Sequence, residues 1–221
     1  ATQAVRRILE DVRSRGDDAV REYARRIDDA ESAPFEVPKA RWAEALASIP
    51  PDLAEALRVA AARIHAYHGA CMPQAWLDAD AGYGQRIVPI ARVGLYVPGG
   101  IAEYPSTVLM SAIPAKVAGV PEVVICTPAP SPATLAAAHI AGVDRVFEIG
   151  GAQAIGAMAF GTDTVPRVDK ICGPGNIFVS IAKREVYGHV DIDGRTIRRG
   201  QRHGPHSLGV GRRIDRARQE R

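Results

Sequence analysis

From Gly84 onward, short apolar segments alternate with helical segments, and this alternation constrains the fold more than any other feature of the sequence. Strand–helix alternation with short glycine turns predicts a parallel sheet with helices packed on its faces. Right-handed crossovers would make this a Rossmann-like α/β domain. The strand candidates are residues 86–90, 92–97, 122–126, 145–149 and 168–172, and the helical segments are residues 105–118, 132–141, 152–160 and 175–187.

Residues 1–83 are predicted to form a mostly helical segment that precedes the α/β domain of residues 84–193. Thr2 is placed to cap a first helix that Gly16 ends, and a later long helix is expected from Asp52 to His68. Apolar residues at helical spacing are expected to share one face of each helix. They are Val5, Ile8, Leu9 and Val12 in the first helix, Val20, Tyr23 and Ile27 in the second, and Leu53, Leu57, Ala60, Ile64 and Tyr67 in the long one.

At Gly194 the periodic pattern stops, and an arginine-rich tail of residues 194–221 begins. The tail holds nine arginines and two acidic residues, so it contributes +7 to a total charge of +3, and residues 1–193 carry −4. A basic tail can bind nucleic acid through phosphates. This one has no aromatic residue for base stacking, so we expect an irregular tail and no nucleic-acid partner.

The remaining composition indicates a cytoplasmic protein. The three cysteines are odd in number and form no CxxC pair, which is typical of a reducing compartment. No stretch approaches the roughly 20 apolar residues of a membrane span, and the N-terminus has no signal-peptide pattern. We therefore expect no membrane partner.

Three glycine-rich turns are expected at the carboxyl edge of the sheet, where ligands of such folds bind. They are "GLYVPGGIAEYPS" (94–106), "GGAQAIGAMAFG" (150–161) and "GPGN" (173–176). Each follows a strand and opens a helix, so backbone N–H groups there can receive an anion. None is a G-x-G-x-x-G fingerprint, and from spacing alone the prediction is a nucleotide or phosphorylated-metabolite site.

Other candidate groups are weaker. Cys126 and Cys172 end strands near the expected cleft, but buried cysteines are common in strands. Asp169 and Lys170 lie beside the third turn, where pairing or capping is favoured over catalysis. His65 and His68 lack a carboxylate or cysteine partner in sequence, so no metal site is predicted.

Several long motifs resemble those of one family, the histidinol dehydrogenases. They are "RGDDAVREYARRID", "VGLYVPGG", "YPSTVLMSAIPAKVAGV", "GGAQAIGAMAFGT", "VPRVDKICGPGN" and "VSIAKREVYGHVDID". The resemblance covers essentially all of residues 1–193. It implies a zinc- and NAD-dependent enzyme that oxidises L-histidinol through the aldehyde to L-histidine, built as a homodimer with Rossmann-like α/β domains.

The resemblance also implies site residues. By motif match, the NAD-contacting residues are Tyr96 of "GLYVPGG", Gln153 of "GGAQAIG" and Asn176 of "GPGN". A tyrosine can pack on a flat ring and donate a hydrogen bond, and the two amides offer paired donors and acceptors. No catalytic residue and no metal ligand of the family can be assigned in this sequence.

The family pattern continues beyond Ile192–Asp193 with segments that this sequence does not contain. We therefore expect a truncated and inactive form, and the composition of the tail suggests an out-of-frame reading. Two alternatives stay open: a paralogue that oxidises another hydroxylated metabolite, and a non-catalytic module that binds NAD or a partner.

Overall fold

The computed structural model describes residues 1–27, 35–99 and 103–194, together with the backbone of residues 210–211. The described helices are α1 (Thr2–Arg15), α2 (Asp17–Ile27), α3 (Lys39–Ser48), α4 (Pro51–Ala70), α5 (Pro105–Val117), α6 (Pro132–Ile140), α7 (Gly151–Phe160) and α8 (Ile177–Val186). The strands are β1 (Trp76–Asp78), β2 (Tyr83–Gln85), β3 (Val88–Pro89), β4 (Arg92–Tyr96), β5 (Glu122–Thr127), β6 (Arg145–Glu148), β7 (Lys170–Cys172), β8 (Asp191–Ile192) and β9 (Val210–Gly211).

The centre of the molecule is a five-stranded parallel sheet in the order β6-β5-β4-β7-β8. Counted along the chain, this order is third, second, first, fourth and fifth, the arrangement of Rossmann folds. The chain reverses its direction of travel across the sheet between β4 and β7. The predicted α/β class is confirmed, and this reversal marks the place where such sheets bind ligands.

Two apolar cores lie on opposite faces of the sheet. One combines α1, α2, α7 and α8 with side chains such as Tyr96 and Phe147, and the other combines α3 to α6 with Leu95 and Ile125. Successive residues of β4 and β5 alternate between the two cores, as side chains of a strand must. Because both faces are covered, the central strands are mainly apolar after their charged first residues, Arg92 in β4 and Glu122 in β5.

The N-terminal helices therefore pack on the sheet from both sides. In α1 all four predicted apolar positions are buried, at Val5, Ile8, Leu9 and Val12. Two other residues that were expected on a buried apolar face are instead exposed, Ile27 at 56% and Tyr67 at 67%. Both lie in the last turns of their helices, α2 and α4.

Some predicted boundaries differ from the structure. The candidate at residues 86–90 is reduced to β3, which does not join the parallel sheet and pairs with β9 instead. Val88 is 42% exposed, and Pro89 has no N–H to donate to a ladder, so this segment is a poor central strand. The fifth strand of the sheet is β8, which the sequence pattern does not predict because it is only two residues long.

Two local details also depart from expectation. Thr2 is the first helical residue of α1, the N-cap position is Ala1, and no side chain caps that end. The antiparallel β1–β2 hairpin was not predicted, and Trp76 and Tyr83 meet edge to face on it. Both residues are exposed, so the hairpin carries no periodic burial signal.

The predicted irregular tail of residues 194–221 lies outside the described residues except for Gly194 and the backbone of β9. None of the helices in the described ranges is both long and apolar enough to cross a lipid bilayer.

Candidate functional site

The three glycine turns converge at the carboxyl edge of the sheet. All five strands are parallel, so the turns after β4, β6 and β7 emerge on the same side. Residues 100–102 of the first turn lie outside the described residues. The other two turns approach Tyr96, the last residue of β4, at the point where the chain reverses across the sheet.

Tyr96 is buried, with 4% of its surface exposed. Its hydroxyl accepts a hydrogen bond of 3.1 Å from the backbone N–H of Gly151, at the start of α7. The N-cap of α7 is Gly150, which has no side chain to offer. Tyr96 therefore supplies the cap that the sequence of α7 lacks.

The third turn lies against the backbone of the same tyrosine. Gly173 has φ +115°, and a Cβ at this position would come within 2.0 Å of the carbonyl oxygen of Tyr96. Only glycine combines this backbone conformation with so close an approach. The turn from β7 to α8 therefore packs directly against the end of β4.

Gln153 lies in the first turn of α7, two residues after Gly151. Its side chain is fully buried, and its amide oxygen would be 2.6 Å from a Cβ added to Gly151. The amide therefore lies close to Gly151, whose N–H group Tyr96 binds.

Asn176 is exposed and caps α8. Its Oδ1 accepts hydrogen bonds from the backbone N–H groups of Phe178 (3.0 Å) and Val179 (3.1 Å). This is the usual role of an asparagine at a helix N-cap. The amide nitrogen takes no part in this cap and is left as a donor.

A groove of about 970 Å³ brings two of the three predicted residues together. It runs between the α1–α2 pair and the starts of α7 and α8. Tyr96 is not among its lining residues and contacts it only through Gly151. The lining residues include Gln3, Arg7, Asp11, Tyr23, Arg26, Gly151, Gln153, Asn176 and Phe178.

Most of the side chains on the α1–α2 wall of the groove are polar, and several of them contact one another. The hydroxyl of Tyr23 donates to the carboxylate of Asp11, and the Arg26 guanidinium lies 5.7 Å from the centre of the Tyr23 ring. Burial raises the pKa of Tyr23, and the hydrogen bond to Asp11 raises it further. The phenol is therefore a neutral donor at physiological pH.

Sequence reasoning missed two residues at this edge, Lys183 of α8 and Asp193 after β8. Lys183 is 8% exposed and donates to the carbonyl of Gly173 at 3.0 Å and to the Asp193 carboxylate. Asp193 in turn accepts from the N–H of Gly173 at 2.7 Å. Burial lowers the pKa of Lys183. No local motif joins positions 10 and 20 residues from Gly173, so the contact exists only in the fold.

Lys170 and Asp169 both make pairing contacts in the structure. Lys170 donates to Asp191 at 2.6 Å, and Asp169 accepts from the backbone N–H of Arg92 at 2.8 Å. Both contacts lie at the amino end of the sheet, away from the glycine turns.

The cysteines at the strand ends are poor nucleophiles. Cys126 and Cys172 are buried, and burial raises the pKa of both thiols. A thiol with a raised pKa carries little of the reactive thiolate at neutral pH.

The described residues do not fit a zinc site. Among them, no three His, Cys, Asp or Glu side chains come close enough together to hold a metal ion. No metal-dependent step is assigned to them.

Comparisons with known proteins agree with the sequence motifs. The family model described as histidinol dehydrogenase matches residues 1–196, and the match ends close to Gly194, where the sequence pattern changes. A histidinol dehydrogenase of Dehalococcoides mccartyi is 53% identical over 199 residues, which is 87% of this chain and 45% of the relative. One from Bordetella parapertussis is 55% identical over 203 residues, covering 86% of this chain and 46% of the relative.

The fold agrees as well. The crystal structure of histidinol dehydrogenase from Elizabethkingia anophelis superimposes with a TM-score of 0.82 at 34% sequence identity, over 87% of this chain and 46% of that one. The chain thus spans about half the length of the relatives that it matches. With the matched region covering most of its sequence and all of its parallel sheet, the chain belongs to the histidinol dehydrogenase family.

Proposed function

We propose that this chain is the N-terminal, NAD-contacting part of an L-histidinol dehydrogenase. In the whole enzyme, L-histidinol would be oxidised through the aldehyde to L-histidine, and NAD, when bound, would accept the hydride in each step. The observation that carries the proposal is a groove at the reversal point of a Rossmann-ordered sheet, lined by Gln153, Asn176 and the Gly151 that Tyr96 binds. A homodimer and a zinc ion belong to the same proposal for the whole enzyme.

Asn176 is the residue that the free protein presents to a ligand. Its oxygen is used by the cap of α8, which fixes the side chain, its amide nitrogen takes no part in that cap, and Asn176 lines the groove. The start of α8 adds the positive end of a helix dipole. An amide donor at such a position suits a phosphate or carbonyl oxygen of NAD.

Gln153 and Tyr96 act deeper in the same site. Solvent reaches neither side chain to any extent, so direct contact between NAD and Gln153 requires the groove to widen. Tyr96 would act through Gly151, whose backbone it holds at 3.1 Å. In this proposal the two residues shape the floor on which the cofactor lies.

Binding and turnover are expected to separate in this chain. The described residues offer a groove and a fixed amide for NAD, and they contain no cluster suited to zinc. We therefore propose that residues 1–221 bind NAD without oxidising L-histidinol.

The binding half is tested by isothermal titration of the 221-residue chain with NAD. Asn176→Ser keeps an N-cap oxygen and removes the amide nitrogen, so it should weaken binding about tenfold without unfolding α8. Gln153→Met keeps the length of the side chain and should weaken binding similarly. Ser131 caps α6 through the N–H of Thr134 and does not line the groove, so Ser131→Asn is the matched control and should bind NAD normally.

The turnover half is tested by following NADH formation with L-histidinol, NAD and zinc. No NADH is expected. NADH formed from L-histidinol would contradict the proposed inactivity, and NADH formed only from another alcohol would favour the paralogue. Absence of NAD binding by the unaltered chain would overturn the NAD site and favour a module that binds a protein partner.

A further inference from the structure

Both backbone polar groups of Gly173 are taken by one pair of side chains. The N–H of Gly173 donates to Asp193 at 2.7 Å, and its carbonyl accepts from Lys183 at 3.0 Å. Lys183 and Asp193 also contact each other directly. The peptide groups on either side of Gly173 are therefore held in one orientation by a closed ring of hydrogen bonds.

This ring connects three separate elements. Lys183 lies on α8, Asp193 follows β8, and Gly173 follows β7. Asn176, three residues after Gly173, caps the helix that carries Lys183. Any shift of the turn must then break a charged contact or tilt the start of α8.

Because the pair is buried, losing these hydrogen bonds would be costly. Lys183 is 8% exposed and the Asp193 side chain is 27% exposed, so neither group is fully solvated. A buried ammonium without its acceptors is costly, because water cannot replace them. The pair is thus stable only while the turn keeps the conformation that supplies the Gly173 carbonyl.

We propose that Lys183 and Asp193 are a positioning pair that holds the Gly173–Asn176 turn in the conformation that binds NAD. Neither residue touches the cofactor in this proposal. The link to NAD rests on the proposed function, whereas the restraint on the turn does not.

A second lysine–aspartate pair, between the strands that lead to Gly173 and Asp193, provides a matched control. Lys170 is 9% exposed and donates to Asp191 at 2.6 Å, but these residues open β7 and β8 at the amino end of the sheet. Breaking this pair disturbs the same two strands without touching the turn. A merely structural role would make the two pairs behave alike.

The test uses the 221-residue chain with Lys183→Met, Asp193→Ala and the double variant, beside Lys170→Met and Asp191→Ala. NMR hydrogen exchange is measured at the amides of Gly173, Phe178 and Val179, which donate to Asp193 and to the Asn176 side chain. NAD affinity is measured by titration under conditions where every variant is folded. The Lys183 and Asp193 variants should exchange these amides faster and bind NAD at least tenfold more weakly. The double variant should be no worse than either single one, since the pair acts as a unit. The control set should leave both readouts within twofold of the unaltered chain.

Unchanged exchange in the Lys183 and Asp193 variants would overturn the restraint on the turn. Faster exchange with unchanged NAD affinity would overturn its link to binding. Equal losses in both sets would show a structural role only and would also overturn the proposal. If the unaltered chain does not bind NAD, the proposed function fails, and the exchange experiment still decides whether the pair holds the turn.

Discussion

The hydroxyl of Tyr96 and the backbone N–H of Gly151 form a 3.1 Å hydrogen bond between the end of β4 and the start of α7. The bond joins the strand at the centre of the sheet to a helix that begins without a side-chain cap. Gly173, after β7, lies against the backbone carbonyl of the same tyrosine, so the turns after β6 and β7 both contact Tyr96. The candidate site is built on this contact.

Removing the hydroxyl should therefore destabilise the protein. Tyr96→Phe leaves the ring in the core and an N–H of α7 with one partner fewer, which should cost about 1–2 kcal/mol of unfolding free energy. Urea denaturation followed by circular dichroism measures the loss. Tyr83→Phe, on the exposed hairpin, is the control and should change stability by less than about 0.5 kcal/mol. Equal effects at the two tyrosines would contradict this role of Tyr96.

Gly173 should tolerate no side chain. Gly173→Ala adds a Cβ at φ +115° that would lie 2.0 Å from the carbonyl of Tyr96, so both strain and steric overlap oppose it. We expect a loss of about 3 kcal/mol or more in unfolding free energy. Gly188 has φ +100° with no atom within 4 Å of an added Cβ, so Gly188→Ala should cost only about 1 kcal/mol from the backbone alone. Thermal denaturation of the two variants separates the steric overlap with Tyr96 from the backbone strain that both glycines share. Similar melting temperatures would refute the steric overlap.

The Glu36–Arg145 ion pair should make stability depend on pH. Arg145 donates to both carboxylate oxygens of Glu36, at 2.8 and 2.6 Å, and this holds the pKa of Glu36 below its usual 4.5. A lowered pKa in the folded state stabilises the protein above pH 4.5, and this contribution is lost as the pH falls through the folded value. The Glu36 side chain is 40% exposed, so solvent screening limits the effect to about 0.5–1 kcal/mol.

Glu36→Gln should accordingly lower stability at neutral pH and make no difference in acid. Urea titrations at neutral pH and well below pH 4.5 test this. Glu55 pairs with Arg58 at 3.8 Å with both side chains more than half exposed, so Glu55→Gln is a control with little effect at either pH. A constant difference between Glu36→Gln and the unaltered chain at all pH values would contradict the electrostatic origin.

The reactivity of the three cysteine thiols should show that the sheet is buried. Cys71 is exposed, whereas Cys126 and Cys172 are buried and have raised pKa values because of that burial. A chromogenic disulfide reagent should therefore label one cysteine in the native protein and all three in denaturant. Cys71→Ser should abolish the native signal. Rapid native labelling of that variant would show that the strand ends are accessible.

Much of the fold could be predicted from local sequence. The apolar stripe of α1 and the strand–helix alternation after Gly84 follow from periodicity, because helices and strands bury faces with different repeats. The motifs containing Tyr96, Gln153 and Asn176 were sufficient to predict the family. The failures were segments with little local signal: the two-residue strand β8, and the exposed hairpin of β1 and β2.

Tertiary structure alone decided how the site is assembled. The order of the strands places β4 beside β7, and only this brings the carbonyl of Tyr96 against Gly173. Lys183 and Asp193 have no motif in common, and they meet because α8 and β8 return to the turn that precedes them. Periodicity and turn residues determine which elements form, since those depend on neighbours in sequence. Contacts between residues far apart in sequence depend on the path of the whole chain, so the polar ring around Gly173 could be found only in the folded protein.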